Sequence, residues 1–207
     1  MKRVRGELLP HLAIQSEDPH EPVKVLHVPK PWKLIGAGNY AAVVMHPDEP
    51  DKVVKVYAEG RPGLEDEIAV YRRLGRHPAF SECYGSGDSF LVLKRLAGVT
   101  IYECLRRGIR IPERVIEDID GALKYARERG LNPHDVHGKN VMMIDGRGVV
   151  VDVSDFLKNE PCCMWDDFKK SYYALYKPVL LRFTFPIPNA LLNLMRKAYR
   201  LVRKRES

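Results

Sequence analysis

Between Asn132 and Phe156 the chain reads NPHDVHGKNVMMIDGRGVVVDVSDF, and no other stretch limits its fold so tightly. Asp135 stands five residues before Asn140 across a short polar loop. Two apolar runs follow, at 141–144 and 149–151, separated by Asp145-Gly146-Arg147-Gly148. Asp-Gly between apolar runs predicts a β-hairpin. Such a hairpin returns Asp152, at the end of the second run, to the loop that carries Asp135 and Asn140. Two carboxylates and an amide oxygen in one place suit a hard cation and phosphate chemistry.

The chain before this stretch divides by texture. Residues 1–21 mix charge with Pro and His, show no sustained periodicity, and are expected to form a weakly ordered lead-in. From Pro22 short apolar runs alternate with turn residues, at 23–28, 32–35, 41–45 and 52–57, as in an antiparallel sheet. Leu64, Ile68, Tyr71 and Leu74 form one stripe of a helix that Gly75 ends. A further strand pair is expected at 83–85 and 90–93, and residues 94–98 read as a connector. Beyond it the texture is helical. Pro112 at a first-turn position opens a helix with Val115, Ile119, Ala122 and Ala126 on one face. Another helix is expected from Met164 to Tyr176, with Pro178, Pro186 and Pro188 breaking the chain before a last helix from about Asn189. The expected division is a lead-in (1–21), a β-rich lobe (22–95), a mainly helical lobe (96–185) and a basic amphipathic helix (186–207).

Two features of the β-rich lobe carry chemistry. Gly36-Ala37-Gly38-Asn39-Tyr40-Ala41-Ala42-Val43 lies between two strands, where glycines let backbone N–H groups approach a polyphosphate. A strand follows instead of a helix, so a dinucleotide-binding turn is excluded and a nucleotide-clasping hairpin fits. One hairpin further on, Lys55 sits mid-strand between Val54 and Val56. A lysine in a cleft needs an anionic partner. Glu67, beside Ile68 on the helix stripe, is the expected one.

In this order the residues resemble the protein kinase-like superfamily. The glycine loop GAGNYAAV, the strand lysine of VVKVY, the helix glutamate of LEDEIAVYRRL, the loop HDVHGKN and the DVS after VVV reproduce the kinase motif set and its spacing. Asp135-Val136-His137 with Asn140 is similar to the loop of aminoglycoside-type phosphotransferases and lipopolysaccharide kinases. Asp152-Val153-Ser154 resembles the RIO family. His134 replaces the arginine that precedes the loop aspartate in signalling kinases, and no Ala-Pro-Glu follows Phe156. The resemblance implies an α+β bilobal fold with a reduced helical lobe, in a small atypical bacterial serine/threonine kinase. It implies ATP held by Gly36, Ala37, Gly38, Asn39, Ala41, Val43 and Lys55, with Glu67 fixing Lys55. It further implies Mg2+ on Asn140 and Asp152, and Asp135 as catalytic residue toward a hydroxyl-bearing protein substrate. A small-molecule kinase and a nucleotide-binding regulatory ATPase or pseudokinase scaffold are the alternatives. His137 either touches a phosphate or packs to support Asp135. Asp155 competes with Asp152 as a metal ligand.

Composition adds limits. No apolar run approaches the ~20 residues of a membrane span, and the N-terminal residues lack the apolar core of a secretory signal. Cys83, Cys104, Cys162 and Cys163 show no metal-ligand spacing, and a reducing, cytoplasmic setting is expected. The net charge of +7 is concentrated at the end, where 196–205 holds six basic residues and no acid. That tail is expected to pack as a helix with a solvated basic edge, or to meet an acidic partner, an anionic lipid or a nucleic acid.

Overall fold

The computed structural model describes residues 1–181, 185–195 and 197. Its sheets arise where β-branched and aromatic residues alternate between turns. Strands β1 (Ala13–Gln15) and β2 (Lys24–His27) pair with each other. The main sheet is antiparallel, in the order β3 (Lys33–Ala37), β4 (Ala41–Met45), β5 (Lys52–Tyr57), β7 (Phe90–Lys94), β6 (Cys83–Ser86). Helix α1 (Leu64–Leu74) lies on one face and buries Leu64, Ile68, Tyr71 and Leu74, the expected stripe. Gly75, at φ 59°, ends it with a conformation that favours glycine. Strand residues at alternate positions serve opposite faces. Val53, Tyr57, Leu91 and Leu93 join the core under α1, while Val54, Val56, Phe90 and Val92 join a second core on the other face.

That second face corrects the reading of residues 1–21. They are ordered. A π-helical turn at Val4–Leu8 seats Val4 (4% exposed) and Leu8 (0%) against Trp32, Val44 and Phe90. Arg3 pairs with Glu49 at 3.4 Å and Asp48 at 3.5 Å on the turn after β4. A five-residue turn has too few residues to display a period, and its two apolar positions sit among charges.

The remaining elements are β8 (Val99–Thr100), α2 (Ile101–Arg107), α3 (Glu113–Arg127), β9 (Val141–Ile144), β10 (Arg147–Val150) and α4 (Met164–Ser171). Pro112 is the N-cap of α3, one residue before its first turn. The β9–β10 hairpin turns on Asp145 (φ 50°) and Gly146 (φ 74°), the two left-handed residues of a tight primed turn. Arg147 and Gly148, expected in the turn, are in β10. Helix α3 packs on that strand so closely that a Cβ on Gly148 would lie 2.3 Å from the Val115 carbonyl oxygen. Asp118 of α3 accepts from Arg147 at 2.7 and 2.9 Å and from the Gly148 N–H at 3.0 Å.

Pro178 does not break the chain. Helix α4 runs into a π-helical segment, Tyr172–Leu180, that contains it. Proline lacks an N–H and crowds the carbonyl one turn earlier, and the wider π turn relieves that crowding. The Tyr172 hydroxyl donates to the Ile111 carbonyl (3.0 Å), and the Ile111 N–H donates to the Tyr176 oxygen (2.9 Å). Residues 189–195 and 197 are helical, and the other residues of the expected C-terminal helix beyond 195 lie outside the described residues.

Candidate active site

Lys55 occupies the middle of β5, opposite Val43 on β4 and Leu91 on β7. The period of two puts it on the α1 side of the sheet with Val53 and Tyr57. There its Nζ lies 2.8 Å from Glu67 Oε2 and 3.4 Å from Asp152 Oδ1. Glu67, in the first turn of α1, is 1% exposed. Burial pushes its carboxyl up, against the Lys55 ammonium that favours the charged form. For Lys55, burial works against the charge, but the carboxylates of Asp152 and Glu67 outweigh it and hold its pKa above the usual lysine range. The Tyr57 hydroxyl donates to Glu67 Oε2, giving the buried carboxylate a second donor.

The hairpin delivers Asp152 as the sequence predicts. The Val151 N–H donates to the Asn140 carbonyl at 2.9 Å, stitching the end of the strand to the loop. The Asn140 N–H donates to the His137 carbonyl at 2.8 Å. The Asn140 side-chain nitrogen donates to the Asp135 carbonyl at 3.0 Å and to Asp135 Oδ2 at 3.2 Å, bonds that leave its amide oxygen unused. Asp135 adopts φ 55°, a left-handed conformation that non-glycine residues occupy at a cost of ~1 kcal/mol or more. Its carboxyl is raised by burial first and by the charges of Asp155 and Asp152, with His137 opposing. Asp152 behaves differently. Burial would raise it, but the Lys55 ammonium and the Ser154 N–H (3.1 Å) hold it below the ordinary aspartate value.

The residues that the sequence left as alternatives differ in their surroundings. The Lys139 N–H donates to His137 Nδ1 at 3.2 Å, which places the ring proton on Nε2, 3.7 Å from Asp135 Oδ1. That arrangement is support for Asp135. Asp155 is engaged by Lys158 at 2.8 Å and lies 3.9 Å from His134 Nδ1. It is Asp152, and not Asp155, that meets Lys55.

The glycine hairpin closes with the Gly38 N–H donating to the Ala41 carbonyl (2.9 Å). A Cβ on Gly36 or Gly38 would meet nothing within 4 Å, and neither glycine has positive φ. Packing and backbone strain therefore require neither glycine. Ala37 pairs with Ala42, and Ala41 is 3% exposed in the core under α1. The Asn39 side-chain nitrogen donates to the His20 carbonyl (3.4 Å), and the Val23 N–H donates to the Gly38 carbonyl (2.9 Å). The hairpin joins the polar cluster through the register that sets Val43 opposite Lys55.

Sequence reasoning missed Tyr57 and the backing of the glycine turn by residues 20–23. Tyr57 had a signal, since it stands two residues from Lys55 and so on the same face of the strand. The backing comes from backbone bonds, which carry no residue signature. Among the described residues no group of three or more His, Cys, Asp or Glu side chains could hold a metal by itself.

No protein-family model matches the chain. It is 33% identical over 199 residues to a Bacillus subtilis (strain 168) protein named "Putative serine/threonine-protein kinase YrzF", a match that covers 95% of this chain and 91% of that one. Among solved structures it is similar to a mutant of the Mycobacterium tuberculosis PknI kinase domain, with a TM-score of 0.46 and 24% identity, over 62% of this chain and 59% of that chain. The 33% identity to the Bacillus protein over 95% of this chain means that this chain belongs to the protein kinase-like family and is a kinase.

Proposed function

We propose that the chain transfers a phosphoryl group from ATP, in the presence of Mg2+, to a hydroxyl of a protein serine or threonine, its own residues included. The observation that carries this reading is the sharing of Lys55 Nζ between Glu67 and Asp152, with Asp152 stitched to the loop of Asp135 and Asn140. The donor set fits the cation. Asp152 and the Asn140 amide oxygen are hard oxygen ligands, and two protein ligands suit Mg2+, which keeps waters and substrate phosphates in its shell. The glycines fit the nucleotide, because neither is needed by the protein and both leave open space on the hairpin. When bound, ATP with Mg2+ supplies a phosphoryl group on a leaving group whose developing charge the metal neutralises.

The chain's own residues do the rest. The turn at Gly36, Ala37, Gly38 and Asn39 lets phosphate oxygens come close to its backbone, with the Gly38 N–H already bonded to the Ala41 carbonyl, and Ala41 and Val43 form the hairpin's second strand. Lys55 places a fixed positive charge at the phosphates, and Glu67 and Tyr57 keep it from swinging away. Asn140 and Asp152 hold the cation. Asp135 orients the acceptor hydroxyl and takes its proton as the new oxygen–phosphorus bond forms, and ADP leaves. Such positioning and charge neutralisation account for most of the rate in phosphoryl transfer. The name of the Bacillus relative supports a serine or threonine acceptor.

The test is incubation with γ-labelled ATP, Mg2+ and a lysate, beside Asp135→Asn and Asp152→Asn. Label enters protein with the natural chain, and each variant lowers the rate by ~100-fold or more. Equal labelling by all three would overturn the assignment of Asp135 and Asp152. Label confined to small molecules would point to a small-molecule kinase, and release of free phosphate alone to an ATPase.

A further inference from the structure

Residues 168–205 contain ten lysines and arginines and no acid, against a net charge of +7 for the whole chain, so the remainder is net negative. The excess of positive charge is therefore carried by one segment. The same segment holds seven of the twelve large apolar side chains exposed among the described residues. Phe185 is 54% exposed, Leu175 55%, Leu194 62% and Met195 51%, with Tyr173 and Leu191 also open. This exposure is built on a fixed base. Tyr172 and Tyr176 are clamped on Ile111, the Ile187 N–H donates to the Leu105 carbonyl at 3.0 Å, and Ile187 and Leu192 are buried. Lys169, Lys170 and Lys177 pair with Asp120, Asp167 and Glu113. Seven more basic residues follow Lys177 in the sequence, with no acid before Glu206.

We propose that this segment seats the protein on an anionic lipid bilayer. Tyr173, Leu175, Phe185, Leu191, Leu194 and Met195 enter the headgroup boundary, and the downstream arginines and lysines meet the lipid phosphates. A basic segment with open aromatic and aliphatic side chains has the composition of an interfacial binder. Tyr173 and Phe185 supply the aromatic anchors favoured at that depth. A nucleic acid would use the charge but gives the open aliphatic side chains nothing to enter. Near an anionic membrane each basic residue is worth about fivefold in affinity.

The test is flotation of the full chain with vesicles of phosphatidylcholine, with and without phosphatidylglycerol, in the absence of ATP, so that it stands apart from phosphoryl transfer. The protein floats with the anionic vesicles and not with the neutral ones, and added salt weakens binding. Arg196→Glu/Lys197→Glu/Arg200→Glu lowers affinity at least tenfold. Leu194→Ser/Met195→Ser, at exposed positions and with an unchanged unfolding midpoint, removes the binding that survives moderate salt. Equal behaviour with neutral and anionic vesicles would overturn the proposal, as would preference for duplex DNA or tRNA over the vesicles. Loss of fold in a variant leaves the salt and lipid dependence of the natural chain to decide.

Discussion

Asp135 is held by a left-handed backbone, two bonds from Asn140 and a histidine whose proton faces it. Its carboxyl is raised by burial and by two neighbouring aspartates, and as the base of the proposed reaction it works only when ionised. The rate therefore rises as pH climbs through that raised pKa and falls below it. A pH profile of kcat/KM with the acid limb above the ordinary aspartate value is the expected result. Asp152→Asn removes one of the raising charges, so the residual activity has its acid limb at lower pH. At this scale the sequence was readable where chemistry needs an unusual residue in an apolar setting, as with Lys55 between valines. It was less readable where a common residue takes a role through one bond, as with the Tyr57 hydroxyl on Glu67.

Among the elements, the contact of α3 with the β9–β10 hairpin holds Asp152 in place. Asp118, with only 10% of its side chain exposed, is lowered chiefly by its bonds from Arg147, against the opposing effect of burial. A depressed folded pKa contributes stability above the unfolded value, and that stability is lost as pH falls through the folded one. Asp118→Ala is therefore expected to cost ~2 kcal/mol at neutral pH, and less as the solution is acidified below the ordinary aspartate range. Urea unfolding at several pH values checks this. Gly148→Ala forces a methyl into the Val115 carbonyl and costs ~2 kcal/mol or more by the same measurement. Asp145-Gly146 announced the hairpin because its turn geometry demands those residues. Gly148 did not announce its role, because what requires it is a carbonyl 33 positions earlier in the chain.

For the molecule as a whole, the sheet is covered on both faces, and the N-terminal turn supplies part of the second cover. Leu8→Ala is expected to cost ~2–4 kcal/mol, read as a lower unfolding midpoint with the m-value retained. A mobile lead-in would show no change. The antiparallel strands, their hairpins and the return of Asp152 to the loop of Asp135 and Asn140 followed from period and turn chemistry. The N-terminal turn did not, since its burial depends on a sheet face assembled from residues far along the chain. The sharing of Lys55 also sets the charge of the cleft. Two carboxylates, Glu67 and Asp152, share the Lys55 ammonium there, and they belong to separate halves of the chain. The two carboxylates thus exceed that ammonium by one charge, and Asp135 nearby adds to a deficit that a cation relieves. A polyphosphate arriving alone would deepen that deficit and would have to draw Lys55 away from its carboxylates. For the proposed reaction, electroneutrality thus favours entry of nucleotide and metal together.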